Sequence, residues 1–306
     1  MSRASGPPAS IVIRTLNEAA SLGRVLEGVL GQDEVAAPEV IVIDSGSTDG
    51  TLEIAARFPA RVHQLEPGTF GFGRALNLGA RLATAPVCVH LSAHCVPVDR
   101  RWLTALLAPL ADPTVVATWG RQVPILGLNP YEELELERVF PERPPAGGAR
   151  RFFSNANCAI RRDALRARPF DEAIASLEDA LWLLDLGPGE RAVYVPEAAV
   201  WHSHPLRPAY WYRRYRRDGL AYRYIAAQRR LDLVPTRSLG SARRLGALAL
   251  ELARVARELA RRGYWRHLAG YPLFCVMREV GLRRGLRRGR RLYPGPGPAE
   301  REGRSP

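Results

Sequence analysis

The chain has 306 residues, 46% of them hydrophobic, which is enough for one large domain or for a domain with a smaller annex. Its net charge of +13 is uneven, because residues 208–306 contain 24 arginines against 7 acidic residues. The longest apolar run, residues 268–277, is about half the ~20 residues that cross a bilayer, and Pro272 interrupts it. We therefore expect no membrane-spanning helix and no signal peptide, and we expect the four cysteines to be reduced and partly buried.

The first part of the chain alternates hydrophobic strands with helical segments. Strands are predicted at residues 10–14, 40–43, 61–65, 87–91 and 115–118, and helices at 22–30, from 51, at 73–83 and at 101–110. This alternation predicts an α/β fold with a mostly parallel, doubly wound sheet covered by helices on both faces. Ligands of such sheets bind beyond the carboxyl ends of the strands, so the polar residues that follow each strand are candidates for a site.

The pattern changes after residue 207, where we predict a domain boundary. The segment WYRRYRRDGLAYRYIAAQRR mixes arginine with aromatic residues, and residues 241–262 have the pattern of an amphipathic helix that ends at Gly263. Its apolar stripe consists of Leu245, Leu248, Leu252, Val255 and Leu259. We predict a domain at 1–207 and a basic, aromatic-rich helical annex at 208–306 whose last dozen residues are disordered.

Three interpretations of the arginine–aromatic segment are open. Its aromatic side chains suit the headgroup level of a membrane, with arginines on lipid phosphates. Alternatively, the aromatic side chains pack on the sheet domain and the arginines face water. In a nucleic-acid-binding protein the same residues would clamp phosphates and stack on bases.

Seven segments occur in order across residues 9–207: SIVIRTLNEA, VIVIDSGSTDGT, FGFGRALNLGARLA, VHLSAHCVP, FFSNANCAIRR, LEDALW and VWHSHP. Together they resemble the family 2 glycosyltransferases, which have the GT-A fold. The resemblance implies an enzyme that moves a sugar, with inversion, from a nucleotide-diphosphate donor to a saccharide or lipid-linked acceptor. Cell-surface polysaccharide or glycolipid assembly is the implied setting, with hexosyl or rhamnosyl transfer. No GxGxxG follows either of the first two strands, which argues against a nicotinamide or flavin site.

The resemblance also implies roles for individual residues. Donor contacts are expected from Thr15, Asn17, Glu18, Asp44, Ser47 and Arg74, with Asp44 at the base and Arg74 at the diphosphate. Asn155 and Asn157 are expected to line the pocket for the acceptor and the donor sugar.

The pair Glu178 and Asp179 in LEDALW matches the segment that carries the family's catalytic base. Asp179 is the expected base, because an acceptor hydroxyl attacks well only when a carboxylate takes its proton. Glu178 would orient the base or contact the sugar, and Trp182, one helical turn later, would line the acceptor pocket. The alternative is that the two acids only stabilise a helix N-terminus.

The chain departs from the family where most members have Asp-x-Asp for a metal ion. Ser92 and His94 stand at those two positions, in the donor-binding segment LSAHC. One alternative is a divalent ion, Mn²⁺ or Mg²⁺, held by His94 with His202 and His204; imidazole suits Mn²⁺ better than Mg²⁺. The other is metal-free transfer, with His94 and Arg74 carrying the charge of the leaving group. An edge-strand alternation of His202 and His204 without ligand role is also open.

The expected partners are a nucleotide sugar and a saccharide or polyprenyl-diphosphate-linked acceptor, with no nucleic acid. Residues 208–306 would bring peripheral contact with a membrane, which places the protein in the cytoplasm or on the inner face of the cell membrane. The rival to the enzyme is an inactive nucleotide-binding or scaffold protein with the same fold.

Overall fold

The computed structural model describes residues 8–33, 35–143, 153–228 and 241–293, and of 241–248 the backbone alone. The chain divides into two compact units. The first consists of Met1–Leu126, Glu135–Ala173 and Glu178–Ser203, and the second of Gly127–Leu134, Ile174–Leu177 and His204–Pro306. The tail that the sequence predicts to be disordered lies outside the described residues.

One mixed sheet of eight strands forms the centre of the first unit. Its strands are β1 Ser10–Thr15, β2 Glu39–Asp44, β3 Arg61–Gln64, β4 Val87–Ser92, β5 Val96–Pro97, β6 Val115–Val123, β7 Asn157–Arg161 and β8 Arg191–Trp201, in the order β3-β2-β1-β4-β7-β6-β8-β5. The strands β3, β2, β1 and β4 are parallel, as predicted. The sheet becomes mixed at β7, which is antiparallel to both β4 and β6.

Ten helices accompany the strands within the described residues. They are α1 Leu22–Leu30, α2 Thr51–Ala55, α3 Phe72–Leu82, α4 Trp102–Leu107, α5 Pro130–Val139, α6 Arg162–Ala167, α7 Glu178–Leu184, α8 Pro208–Ala227, α9 Ser241–Arg261 and α10 Gly270–Leu292. Every helix predicted from the sequence is present, and the predicted helix at 101–110 is α4 continued by a 3₁₀ turn at Ala108–Ala111.

Strand alternation builds two hydrophobic layers in the first unit. Ile11 and Ile13 of β1 point into one layer, which also contains the buried side of α1, whereas Val12 points into the other. Helix α3 lies close to the sheet on that second side, because a Cβ atom on Gly79 would overlap the side chain of Val12. The central strands therefore have no solvent-facing side, and their exposed chemistry is confined to their ends.

Close packing of α8 against α10 organises the second unit. Gly281, Gly285 and Gly289 recur every fourth residue of α10, and a Cβ atom on Gly285 would overlap the backbone of Arg216 in α8. Gly219 of α8 faces α10 in the same way. These glycines let two arginine-rich helices approach backbone to backbone.

Trp211 of α8 packs inside the second unit. It is 1% exposed and contacts Phe274 of α10, and Ile225 of the same helix is fully buried. The packing interpretation therefore holds for Trp211, whereas the tyrosines of α8 are half-buried and contact with a membrane stays a prediction. Helix α9 follows its prediction: Val255 and Leu259 are buried, and Gly263 ends the helix with a left-handed backbone at φ 77°.

Candidate functional site

Two loops at the carboxyl ends of β1 and β2 hydrogen-bond each other. Asn17 has a left-handed backbone, with φ 56°, and its side-chain oxygen accepts the backbone N–H of Thr48 at 2.8 Å. The backbone N–H of Asn17 donates to Ser47 Oγ at 2.8 Å, and that of Glu18 donates to Thr51 Oγ1 at 2.9 Å. Three of the predicted donor contacts, Asn17, Glu18 and Ser47, thus lie together in one braced pair of loops.

Asp44 ends β2 and is fully buried. Its carboxylate accepts the backbone N–H groups of Gly46 and Ser47 at 2.9 and 3.0 Å. Asp44 therefore shapes its loop, which corrects the expectation that its carboxylate faces a nucleobase. Beside it, the buried hydroxyls of Thr15 and Ser45 have no hydrogen-bond partner among the described residues. Buried polar atoms without a partner are rare, and at strand ends they fit a polar ligand.

Arg74, the predicted diphosphate contact, lies in α3 with 47% of its side chain exposed. Its Nε donates to Glu172 at 3.3 Å, and Asn77 Nδ2 donates to the other oxygen of that carboxylate at 2.9 Å. An exposed ion pair of this kind is worth about 0–1 kcal/mol, so a diphosphate can compete with Glu172 for the guanidinium.

His94 and His202 face each other at the end of the sheet. The antiparallel pairing of β5 with β8 places the turn after β4 beside the residue that follows β8. The Nε2 atoms of the two rings are 3.2 Å apart, and the rings stack at 18° from parallel. Nδ1 of His94 lies 2.8 Å from Oε1 of Glu18, and Nδ1 of His202 lies 2.5 Å from Oε1 of Gln122. The result is a continuous chain of four polar side chains.

This pair fits two ligands of one metal ion. With Glu18 and Gln122 accepting from the Nδ1–H groups, both Nε2 atoms carry lone pairs; this proton assignment follows from the bonding partners. Two lone pairs at 3.2 Å repel each other, and a cation bound by both nitrogen atoms would remove this repulsion. Two nitrogen ligands of one metal ion lie about 3 Å apart, and ligating histidines donate their other N–H to an oxygen.

Two further residues are predicted to lie at the metal ion or at the donor, His204 and Ser92. His204 belongs to the second unit, where Glu132 accepts its backbone N–H at 2.6 Å and contacts its Nδ1 at 2.7 Å. Ser92 is buried at the end of β4. The edge-strand alternative for His202 and His204 is not supported, because β8 ends at Trp201 and is flanked by β5 and β6.

Glu178 and Asp179 begin α7, and Asn155 bonds both. The backbone N–H of Asn155 donates to Asp179 Oδ2 at 3.2 Å, and its side-chain Nδ2 donates to Glu178 Oε1 at 3.3 Å. The backbone N–H of Ala180 donates to Asp179 Oδ1 at 2.8 Å. Glu178 is 5% exposed, whereas Asp179 keeps part of its surface open. The preceding Leu177 has φ 65°, a strained conformation of the kind that clusters at functional sites.

The surroundings of Asp179 favour its protonated form. Loss of solvation, followed by the negative charge of Glu178, raises the pKa of Asp179 to about 7. The backbone N–H groups of Asn155 and Ala180 and the charge of Arg14 oppose this rise in pKa. A carboxylate with a pKa near neutrality is a better proton acceptor than an ordinary aspartate.

Arg14 is a member of the site that the sequence did not single out. It lies near the end of the central strand β1, with its guanidinium 5.0 Å above the ring of Phe72, and its buried Nε has no partner in the described part of the chain. Its charge also acts on the buried His90, whose pKa is lowered to about 3 mainly by burial. The available signal was an arginine within the apolar run SIVIRT.

Comparison with known proteins identifies the chain. The family described as Glycosyl transferase family 2 matches residues 10–169, more than half of the sequence. The chain belongs to the family 2 glycosyltransferases. RfbN, an O-antigen chain rhamnosyltransferase of Salmonella typhimurium, is 26% identical over 224 residues, which cover 69% of this chain and 71% of RfbN. The O-antigen chain rhamnosyltransferase WbaN of Salmonella anatum is 28% identical over 194 residues, covering 60% and 62% of the two chains.

Two solved structures show the fold of this glycosyltransferase. The mannosyltransferase PcManGT from Pyrobaculum calidifontis, in complex with GDP-Man and Mn²⁺, has a TM-score of 0.61 at 22% identity over 92% of this chain and 87% of that one. Glucosyl-3-phosphoglycerate synthase from Mycobacterium tuberculosis, in complex with Mg²⁺ and UDP, has a TM-score of 0.52 at 22% identity over 77% and 83%. The predicted GT-A fold is confirmed.

Two predicted acceptor contacts of the glycosyltransferase are core residues instead. Trp182 is 3% exposed, its ring packs with Phe153, and its N–H donates to the carbonyl of Arg168 at 2.8 Å. Asn157 is fully buried; its oxygen accepts from Trp102, and its amide donates to backbone carbonyls. Neither side chain presents a surface to an acceptor, and of the two predicted asparagines only Asn155 reaches the carboxylate pair.

Proposed function

We propose that this glycosyltransferase moves a sugar, with inversion, from a nucleoside-diphosphate donor to a saccharide or lipid-linked acceptor in cell-surface polysaccharide or glycolipid assembly. The observation that carries the proposal is the carboxylate of the half-buried Asp179 at the start of α7, held by the backbone N–H of Asn155 and with its pKa raised to about 7. The two O-antigen rhamnosyltransferases among its relatives support a hexosyl or rhamnosyl donor.

The donor nucleotide is proposed to bind at the carboxyl ends of β1 and β2. Asn17, Glu18 and Ser47 line the braced loops there, and the hydroxyl of Thr15 supplies a buried donor that has no partner in the described protein. On donor binding, the guanidinium of Arg74 is proposed to leave the carboxylate of Glu172 and to bind the diphosphate. Ser92 lies at the end of the neighbouring strand β4, two residues before His94 in the chain.

A divalent ion fits the histidine pair, with His94 and His202 as ligands through Nε2 and with Glu18 and Gln122 orienting them. Imidazole ligands favour Mn²⁺ over Mg²⁺. When bound, such an ion supplies positive charge for the departing diphosphate.

Asp179 is proposed to act as general base on the acceptor hydroxyl. The hydroxyl oxygen forms its bond to the anomeric carbon from the face opposite the nucleotide, the bond to the diphosphate oxygen breaks, and the proton passes to Asp179. Each carboxylate oxygen already accepts one backbone N–H, which fixes its direction and leaves a lone pair for the proton. The charge of Glu178 raises the pKa of the base, and the charge of Arg14 opposes this rise.

The acceptor is proposed to be a saccharide carried on a polyprenyl diphosphate, used at the inner face of the cell membrane. The net positive charge of residues 208–306 supports this location, because anionic lipid and diphosphate both attract arginine. Among the described residues, no helix combines the length and the apolar character that a bilayer span requires.

Calorimetric titration with UDP, dTDP and GDP, with and without Mn²⁺, tests the donor site. One nucleotide is expected to bind selectively and to bind more tightly with Mn²⁺. Thr15→Val should weaken that binding about 5–30-fold, because it removes a hydroxyl that bonds the ligand. Thr104→Val, the same change at a half-buried position on α4, should leave it unaltered. If none of the three nucleotides binds in either condition, the donor site is wrongly placed.

A further inference from the structure

Large apolar side chains are exposed along the described part of 241–293. They are Leu250, Trp265, Leu273, Val276, Val280 and Leu292. Single exposed apolar residues are normal on a protein surface, but a contiguous group of them marks an interaction site. Here the group occurs in the most basic part of the chain.

Helix α10 carries three of these side chains on one face. Leu273, Val276 and Val280 are spaced by three and four residues and are 61%, 56% and 39% exposed. The opposite face of the helix, which includes Phe274 and the glycine stripe, is buried. Helix α10 is therefore apolar on the side that it buries and also, over its first half, on the side that it exposes.

Arginines continue this outward face beyond Val280. Arg283 and Arg287 follow at helical spacing and are exposed, and Arg290 and Arg291 close the helix. Arg283 pairs with Glu279, whereas Arg287, Arg290 and Arg291 form no ion pair with any residue that the structure describes. One helix surface thus presents an apolar half and a cationic half.

Helix α9 repeats the combination on its own outward side. Leu250 is 74% exposed, and Arg254 and Arg257 follow it at helical spacing, also exposed. Glu251, on the side facing α10, is occupied by Arg278 and Tyr271. Glu251 is therefore used inside the unit, whereas Arg254 and Arg257 lie on the exposed side of α9.

We propose that the outward face of α10, formed by Leu273, Val276, Val280 and the arginines that follow, binds the surface of an anionic lipid bilayer. Apolar side chains that enter the headgroup region beside arginines that meet phosphates are the two components of interfacial binding. A second copy of the chain is a poor occupant, because it would bring two strongly cationic segments together. This proposal specifies how the enzyme would contact the membrane that carries a lipid-linked acceptor, and it rests on the proposed function.

Vesicle co-sedimentation of the full chain tests this surface. The wild type is expected to bind phosphatidylcholine vesicles that contain phosphatidylglycerol, and to bind pure phosphatidylcholine at least about tenfold more weakly. The combined change of Leu273→Gln, Val276→Gln and Val280→Gln should weaken binding at least about tenfold. The double change Arg287→Gln and Arg291→Gln should weaken binding to anionic vesicles and leave binding to pure phosphatidylcholine unchanged. Val62→Gln, at an exposed valine of β3, is the matched control and should bind like the wild type.

Transfer to a water-soluble acceptor without lipid separates this surface from the transfer reaction. All these variants should keep the wild-type rate there, which also shows that they fold. Failure of the wild type to bind anionic vesicles, or equal binding by the glutamine variants, would overturn the proposal whatever the transfer rate. A dimer that is lost in the triple variant, or binding to oligonucleotides that displaces the vesicles, would overturn it in favour of another occupant.

Discussion

Asp179→Asn is expected to lower kcat about 10²–10⁴-fold, because an amide cannot take the proton of the acceptor hydroxyl. Donor binding should persist, since Asp179 bonds the protein through Asn155 and Ala180 and the amide oxygen can keep one of these bonds. Nucleotide release gives the rate, and calorimetry gives the affinity. Asp185→Asn, the same change at an exposed carboxylate just after α7, is the control and should leave both unchanged.

An Asp179→Asn enzyme that turns over at the wild-type rate would place the base elsewhere. Loss of donor binding together with turnover would mean that the carboxylate has a structural role, as an ordinary N-terminal acid of α7. A wild-type protein that binds nucleotide but transfers no sugar would support the scaffold alternative.

The pH dependence follows from the same carboxylate. Only ionised Asp179 accepts a proton, and its pKa is raised to about 7, so kcat should fall as the pH decreases through that value. Glu178→Gln removes the neighbouring negative charge and should move this acid limb to lower pH. A limb that stays in place, or moves upward, would contradict the electrostatic role of Glu178.

His94→Ala and His202→Ala are each expected to abolish the tightening of nucleoside-diphosphate binding by Mn²⁺ and to cost at least about tenfold in metal-dependent rate. The physical reason is the pair of Nε2 atoms 3.2 Å apart, which one imidazole cannot reproduce alone. Glu18→Gln should weaken the metal effect less, because the amide still accepts from Nδ1 of His94 without a charge. His63→Ala, on the edge strand β3, is the control.

The metal-free alternative makes the opposite prediction. If activity resists EDTA and both histidine variants keep the wild-type response to Mn²⁺, the metal site is wrong. His94 and Arg74 would then carry the charge of the leaving group themselves. In that case Arg74→Ala should cost more in rate than His202→Ala, because only Arg74 and His94 would act on the diphosphate.

Local sequence patterns were sufficient to predict β1, β2 and the loops that follow them. Apolar runs and a turn-rich DSGSTDG require only neighbouring residues, and the order of the motifs indicated the family. The bonds that Asn155 makes to Asp179, 24 residues away, depend instead on how β7 enters between β4 and β6. A single antiparallel insertion of this kind leaves no periodicity that a sequence reveals.

The mistaken residue assignments share one cause, which is packing between distant segments. The position of Trp182 one turn after Asp179 predicts an acceptor contact. Its ring instead packs on Phe153, and its N–H donates to the carbonyl of Arg168. The side chain of Asn157 hydrogen-bonds partners in three other segments of the chain. Gln122, which orients His202, has no motif around it and becomes visible only through the register of β6 with β8.

The aromatic residues of α8 show the same limit in the second unit. Their interleaving with arginine is compatible with a membrane surface, which the resemblance favours, with a packed core, and least of all with nucleic acid. The packing of Trp211 against α10 could not be predicted, because the close approach of the two helices depends on Gly281 and Gly285, which lie more than fifty residues further along the chain. The exposed apolar residues fall instead on α9 and α10.

The configuration of the anomeric carbon in the first-formed product tests the central account most directly. Nuclear magnetic resonance during early turnover, with the donor identified by calorimetry, resolves the two anomers. A single displacement assisted by Asp179 predicts a glycosidic bond of configuration opposite to that of the donor. Retention of the donor configuration would contradict the account, because it requires either two displacements or attack from the face of the leaving nucleotide.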